Sequence, residues 1–138
     1  MLAVDREAHD AVVAHALEGA PEEVCGVLGG RFGETESTVE TAVPTRNAAP
    51  APEYEYAIDP AEQVAVMDDL EARGLDVVGF YHSHPSGPAG PSATDADRAS
   101  WPDRTYLVVD LAGDHPFVGA WRWAAAQDRF VREVLELR

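Results

Sequence analysis

Two histidines and an aspartate form the most informative chemical pattern in the chain. His82 and His84 lie one residue apart, and Asp95 follows after a short loop. Imidazole nitrogens and carboxylate oxygens are ligands that Zn²⁺ accepts, and three protein ligands leave a fourth position for water, as in catalytic zinc sites. A His-x-His pair alone is more often solvated or half-buried. Together with the carboxylate, however, the pair predicts a catalytic zinc site.

A buried strand is expected to carry both histidines. Residues 75–81 are apolar and rich in β-branched and aromatic side chains, which is typical of such a strand. Side chains two apart share a face, so a strand extended through His84 points both imidazoles at one location. Pro85 then ends the strand, and the Gly/Pro-rich loop 86–91 turns the chain back. Asp95 can thereby supply a third ligand.

Ser92 and Asp95 also fit the start of a short helix. Ser92 is a good N-cap residue, and Asp95 takes the third helical position, where an acid is favoured. Capping is the default interpretation of these two residues. It is compatible with a role of Ser92 in catalysis.

A water held by zinc needs a general base, and the segment after Pro21 offers two. Glu22 and Glu23 lead directly into the apolar residues 24–30, a predicted buried strand. A carboxylate at the start of this strand would project over a site on a neighbouring strand. Periodicity alone does not choose between the two acids, and a solvated acidic pair after a helix fits the same pattern.

The combined motif resembles the signature of the JAMM (MPN+) metalloprotease family, and in particular its small prokaryotic members, including archaeal desampylases. The match spans residues 21–97 directly. Its residues are Glu23-x-Cys25-Gly26-x-Leu28-x-Gly30, then His82-Ser83-His84-Pro85, six further residues, Ser92, two residues and Asp95.

This resemblance implies the roles of the site residues. One catalytic Zn²⁺ would be bound by His82, His84 and Asp95, and Glu23 would be the general acid/base. Ser92 would help to stabilise the oxyanion, a contact worth about 3–4 kcal/mol in other hydrolases. The implied function is a zinc-dependent isopeptidase that cleaves ubiquitin-like modifier proteins from target lysines or from linear fusions. The expected partners are such modifiers and their conjugates.

Other functions fit the sequence less well. Some bacterial relatives release cysteine from a sulfur-carrier protein adduct, which is the main alternative. A non-catalytic MPN scaffold is disfavoured by the intact motif. A nucleophilic Cys25 is disfavoured because the residue lies in a strand pattern and is expected to be buried. A cytidine deaminase would need His-x-Glu and Pro-Cys-x-x-Cys, and neither occurs.

The composition is strongly acidic. Asp and Glu number 25 against 10 basic residues, all of them arginine, and the net charge is −15. This charge opposes nucleic-acid binding and predicts a surface suited to a halophilic, high-salt cytoplasm. A single cysteine excludes an intramolecular disulfide and fits a reducing cytoplasm. No apolar run of about 18 residues is present, so no membrane association is expected, and the N-terminus lacks the features of a signal peptide.

The expected architecture is one α/β domain over residues 1–138 with the layers of a JAMM/MPN (cytidine-deaminase-like) fold, a curved mixed sheet flanked by helices. The Pro-rich loop 44–53 is expected to act as a flap or substrate-binding loop, and an exposed strand edge could pair with a substrate tail. His9, His15 and His115 are expected at the surface. The predicted helices cover residues 5–18, 60–73 and 93–100, and the predicted strands cover 24–31, 35–43, 54–58, 75–84, 106–111, 117–124 and 130–137.

Overall fold

The computed structural model describes residues 1–138 and contains eight strands, three α-helices and one short 3₁₀ turn at Ala125–Gln127. The helices are α1 (Arg6–Gly19), α2 (Pro60–Ala72) and α3 (Ala93–Arg98). The strands are β1 (Leu2–Val4), β2 (Cys25–Arg31), β3 (Ser37–Thr45), β4 (Asp76–His84), β5 (Thr105–Asp110), β6 (Phe117–Ala124), β7 (Arg129–Glu133) and β8 (Leu135–Leu137).

All eight strands belong to one mixed sheet with the order β7-β6-β5-β4-β2-β3-β1-β8. Strand β1 runs parallel to β3 and β8, β4 runs parallel to β5, and the remaining pairs are antiparallel. Strands β7 and β8 lie at opposite ends of this order although only Val134 separates them in the chain. The sheet must therefore curl until its ends nearly meet. The predicted α/β fold with a curved mixed sheet is confirmed.

Each face of the sheet has its own hydrophobic core. Helix α1 buries Ala8 and Val12 against one face, together with Val78 and Tyr81 of β4. Helix α2 buries Leu70 and its neighbours against the other face. That second core consists of Val27, Val66, Leu70, Phe80, Tyr106 and Trp123.

A β-bulge in β4 decides which face carries the histidines. Opposite β2, Leu28 pairs with Gly79 but the next residue pairs with Val77, so Val78 has no partner. An extra residue shifts the alternation of side chains. Consequently Val78 packs in the α1 core whereas Phe80, two residues later, packs in the α2 core. His82 and His84 follow Phe80 at intervals of two, which directs them to the face that α2 and α3 cover.

The predicted strand over residues 54–58 is wrong. These residues make only an isolated bridge, between Asn47 and Ile58, and the chain otherwise crosses the end of the sheet as a loop. The alternation Tyr54-Glu55-Tyr56 imitates a strand in sequence. Here, however, side chains hold the backbone in place of a strand ladder: Asn47 Nδ2 donates to the carbonyl of Glu55, and Arg98 donates to the carbonyl of Tyr56.

The structure differs from the predictions at three further points, which concern two strands and one histidine. Strand β1 was missed because three residues give too little pattern, and the predicted strand 130–137 is divided at Val134, where the chain changes from one end of the sheet to the other. His15, expected at the surface, is half-buried, and its Nδ1 lies 2.7 Å from the hydroxyl of Tyr81. None of the helices combines the length and apolar character needed to cross a membrane.

Candidate active site

The two histidines lie buried side by side at the C-terminal end of β4. His82 is fully buried and His84 is 3% exposed. Strand β4 is held between β2, where Cys25 pairs with His82, and β5, where Asp110 pairs with His84. The Nε2 atoms of the two rings are 3.1 Å apart. The prediction that a strand would direct both imidazoles to one location is confirmed.

Asp95 reaches the same point from the first turn of α3. Its Oδ2 atom lies 3.0 Å from His82 Nε2 and 3.2 Å from His84 Nε2. Ser92 caps the helix as predicted: its hydroxyl accepts from the backbone N–H of Asp95, and its own N–H donates to Asp95 Oδ2 over 2.8 Å. Burial opposes ionisation of this carboxyl group, but hydrogen bonds from both histidines and from Ser92 hold its pKa well below the usual range.

The spacing of these three ligand atoms is close to that of ligands around a tetrahedral zinc ion. Together they form a triangle with sides of 3.0, 3.1 and 3.2 Å. A tetrahedral zinc ion with bonds of about 2.0–2.1 Å has edges of about 3.3–3.4 Å between its ligands. The side chains therefore fit one face of such a tetrahedron with shifts of a few tenths of an ångström.

The hydrogen bonds of His84 also fit a metal ligand. Its Nδ1 lies 2.8 Å from the carbonyl oxygen of Pro88, which can only accept, so Nδ1 carries the proton. A neutral ring then has a free lone pair on Nε2, directed at Asp95 Oδ2 and His82. A proton on His82 Nε2, or a bound cation, can lie among these atoms. Consistently, although burial lowers the pKa of His84, the hydrogen bond to Asp95 raises it above its ordinary value.

Glu23 faces the cluster from the neighbouring strand. It directly precedes β2, it is only 6% exposed, and its Oε1 atom is buried without a hydrogen-bond partner in the protein. A ligand atom of Glu23 and one from each histidine lie within 4.8 Å of one another. Glu22, by contrast, is exposed. The structure thus places Glu23, and not Glu22, at the cluster.

The electrostatic setting of Glu23 suits proton transfer. Burial raises the pKa of its carboxyl group to about 7, with a smaller upward effect from Asp95 and an opposing effect from His84. A carboxyl group with a pKa near neutrality exchanges protons in either direction at physiological pH. The backbone around it is fixed, because its N–H donates to the carbonyl of Pro52 over 2.7 Å and its carbonyl accepts from Asn47 over 2.9 Å.

Two loop residues at the site were missed by sequence reasoning. Tyr56 stacks on His82 with ring centroids 4.3 Å apart and planes 20° from parallel. The side-chain amide of Asn47 makes four hydrogen bonds that join the loop to Glu23 and to itself. Its Nδ2 donates to the carbonyls of Glu23 and Glu55, and its Oδ1 accepts from the N–H groups of Ala49 and Ala57. Nothing in the local sequence marks either residue, because both act across long loops.

A cavity of about 210 Å³ adjoins the cluster on the α2 and α3 side. Its wall includes Asp95 of the cluster and Tyr56, which stacks on His82, and most of the remaining wall residues are apolar. The other residues that line it are Ala57, Ile58, Gln63, Phe80, Arg98, Ser100, Trp101 and Tyr106.

Comparison with known protein families agrees with this geometry. Residues 5–124 match the family described as prokaryotic homologs of the JAB domain. The chain belongs to this family. The resemblance that the sequence motif predicted is thereby confirmed.

Relatives within the family are named for peptidase activities. A desampylase of Haloferax volcanii is 46% identical over 116 residues, which cover 81% of this chain and 82% of the relative. A probable TtuB-protein conjugate cleaving protease of Thermus thermophilus is 38% identical, over 76% of this chain and 67% of the relative. The CysO-cysteine peptidase of Mycobacterium tuberculosis is 36% identical, over 83% of this chain and 77% of the relative.

A solved structure gives the same result for the fold. The solution structure of a Desulfitobacterium hafniense protein has a TM-score of 0.89 and is 32% identical, covering all of this chain and 93% of the other. The JAB-domain relatives support the predicted peptidase activity, and they disfavour the alternative of a non-catalytic scaffold.

Proposed function

We propose that this JAB-domain protein is a zinc-dependent isopeptidase that releases ubiquitin-like modifier proteins from lysine side chains or from linear fusions. The observation that carries the proposal is the convergence of His82, His84 and Asp95 at 3.0–3.2 Å, with the buried carboxyl group of Glu23 beside them. The similarity to a desampylase supports the substrate class.

In this proposal His82, His84 and Asp95 hold the metal ion. Zinc bound there would act as a Lewis acid on the scissile carbonyl and lower the pKa of a coordinated water to about 7. Asp95 is suited to this role because its carboxylate stays ionised. The capping hydrogen bonds with Ser92 fix its position on α3.

Glu23 would transfer the proton. Its carboxylate accepts a proton from the attacking water and then delivers it to the departing amine as the bond between carbonyl carbon and nitrogen breaks. Burial, which raises the pKa of this carboxyl group before any metal binds, favours its acting both as base and as acid. Because Oε1 has no partner in the protein, no competing hydrogen bond must be broken first.

Ser92 would stabilise the negative charge that develops on the carbonyl oxygen. Its Oγ accepts a hydrogen bond from the N–H of Asp95, but the hydroxyl hydrogen is not used by that bond. The hydroxyl can therefore donate to an oxyanion while the helix cap remains intact. The capping and catalytic roles are compatible in this geometry.

We also propose a high-salt cytoplasmic setting without nucleic-acid partners. The net charge of −15 and the single, free and buried Cys25 support it.

The proposed activity can be tested with two matched substrates. One carries a ubiquitin-like modifier joined to a lysine ε-amine, and the other carries the same modifier in a linear fusion. Each is incubated with purified protein, with protein treated with a chelator, and with treated protein resupplied with Zn²⁺. Cleavage that is lost on chelation and restored by Zn²⁺ is expected. Cleavage that persists after complete metal removal would contradict the proposed mechanism.

A second candidate activity uses the same chemistry on another substrate. The similarity to a CysO-cysteine peptidase favours release of cysteine from the C-terminus of a sulfur-carrier protein, although that relative is less similar than the desampylase. A carrier protein with a C-terminal cysteine is therefore included as a third substrate. Release of cysteine without cleavage of either modifier substrate would favour this alternative.

A further inference from the structure

The two histidines of the candidate site are oriented by different means. His84 donates from Nδ1 to the carbonyl of Pro88, the type of hydrogen bond that usually fixes the ring of a metal-binding histidine. Nδ1 of His82 is buried and has no hydrogen-bond partner in the protein. The orientation of the His82 ring is therefore left to the partners of its Nε2 atom and to a packing contact.

Tyr56 provides that contact. Its ring lies nearly parallel to the imidazole of His82, with centroids 4.3 Å apart and an interplanar angle of 20°. The other aromatic neighbour of this imidazole, His84, meets it edge-on with centroids 4.8 Å apart. A flat ring held against the imidazole limits tilting of its plane, and His84 limits movement on a second side.

The backbone on both sides of Tyr56 is fixed. The carbonyl of Tyr56 accepts from Arg98 Nη1 over 3.2 Å, and Asn47 bonds to the carbonyl of Glu55 and to the N–H of Ala57. Arg98 lies on α3, the helix that carries Asp95, and also pairs with the carboxylate of Glu55 at 3.1 Å. The loop that presents Tyr56 is thus tied to another element of the site.

We infer that Tyr56 is a positioning residue for His82. The ring of Tyr56 holds the His82 imidazole in its metal-binding orientation, in place of the Nδ1 hydrogen bond that His84 has. This inference rests on the proposed metal-dependent function. It assigns the role to the aromatic ring and not to the hydroxyl group, because the contact with His82 is a stack of two planes. Loss of a hydrogen-bonded partner behind a metal ligand typically weakens metal binding about 10–100-fold, and we expect loss of this stack to have an effect in the same range.

The test measures metal binding and not only turnover. Metal-free wild type, Tyr56→Phe and Tyr56→Leu are titrated with Zn²⁺ by calorimetry and with Co²⁺ by visible absorption. Tyr56→Phe should bind within about twofold of wild type, whereas Tyr56→Leu should bind about 10–100-fold more weakly and give an altered Co²⁺ spectrum. Tyr54→Leu, in the same loop and 81% exposed, is the matched control and should leave binding unchanged.

A second measurement needs no variant and no metal. Nuclear Overhauser effects between the ring protons of Tyr56 and His82 are expected in the metal-free wild type, and their absence would overturn the inference. Equal Zn²⁺ affinity of Tyr56→Leu and wild type would also overturn it, and so would an equal loss in the Phe and Leu variants. If wild type itself binds no Zn²⁺, the proposed function fails together with the inference. Normal wild-type binding that is insensitive to Tyr56 refutes the inference alone.

Discussion

Substitution of Glu23 by glutamine separates its proposed role in proton transfer from a role as a metal ligand. Glutamine has nearly the same shape but cannot take a proton from water. The backbone of residue 23 is held by Pro52 and Asn47, so the side chain should keep its place. Oε1 has no hydrogen bond to lose. The change should therefore remove the chemistry and leave the structure intact.

The magnitude follows from the role. General acid/base groups contribute about 10²–10⁴-fold to rate, which corresponds to about 3–5 kcal/mol at 1.36 kcal/mol for each factor of ten. Glu23→Gln should lower kcat by that factor with little change in KM. Removing the buried carboxyl group also relieves the unfavourable burial that raises its pKa to about 7, so stability should not fall.

The assay combines steady-state cleavage of an isopeptide-linked modifier with measurement of bound zinc. Glu23→Gln should retain one zinc per chain, whereas Asp95→Asn should lose zinc and activity together. Glu22→Gln changes an exposed neighbour and is the matched control for lost charge. Because Glu23 also lies within ligand distance of the histidines, the opposite pattern is informative. Zinc lost in Glu23→Gln but kept in Asp95→Asn would refute the assigned roles.

Three further predictions use other parts of the molecule. Ser92→Ala should cost about 1 kcal/mol in the free energy of unfolding through loss of the helix cap and lower kcat about 10²–10³-fold. Ser92→Thr, which keeps a hydroxyl, should recover both quantities, and failure to recover one of them would contradict the role that it measures. Gly79→Ala should prevent folding, because a Cβ there would lie 1.7 Å from a backbone carbonyl oxygen of β5. Gly113→Ala is the control and should be tolerated, because the nearest atom to a Cβ there is 3.9 Å away. Soluble yield and circular dichroism measure the folding of both variants. With a net charge of −15, stability in urea should rise between about 0.1 M and 1 M KCl as the Debye length falls from about 10 to 3 Å, and equal midpoints would contradict the proposed high-salt adaptation.

The predictable parts of the fold are those in which a local pattern and a tertiary contact agree. Helix α2 begins at Pro60 after the cap Asp59, whose side chain accepts from the N–H of Glu62. The cap and the helix start can both be predicted from these few consecutive residues. The loop that carries Tyr56 was predicted as a strand because its alternating residues follow the period of a strand. Its actual conformation depends on side chains from Asn47 and Arg98, and no local pattern reports such distant partners.

The same distinction applies to the candidate site. His82, His84 and Asp95 lie within fourteen residues, so strand periodicity and one loop suffice to predict their approach. Glu23 comes 59 residues before His82, and only the family resemblance favours it over Glu22 in the sequence. Which acid faces the histidines depends on the register between β2 and β4, and this register is a tertiary property.

A packing contact on the opposite face of the sheet helps to set that register. Gly26 pairs with Tyr81 across β2 and β4, and a Cβ at Gly26 would lie 2.3 Å from the Tyr81 ring. A side chain here would force the buried Tyr81 ring to shift, so glycine is favoured at this position over its β2 neighbours Cys25 and Val27. With Gly26 opposite Tyr81, Cys25 falls opposite His82, and Glu23 comes two residues before that pair at the mouth of the site. A one-residue slip that placed Cys25 opposite Tyr81 would put a side chain against the ring and direct the other acid, Glu22, towards the histidines. The buried pair of Gly26 and Tyr81 thus helps to position a carboxylate that it does not touch.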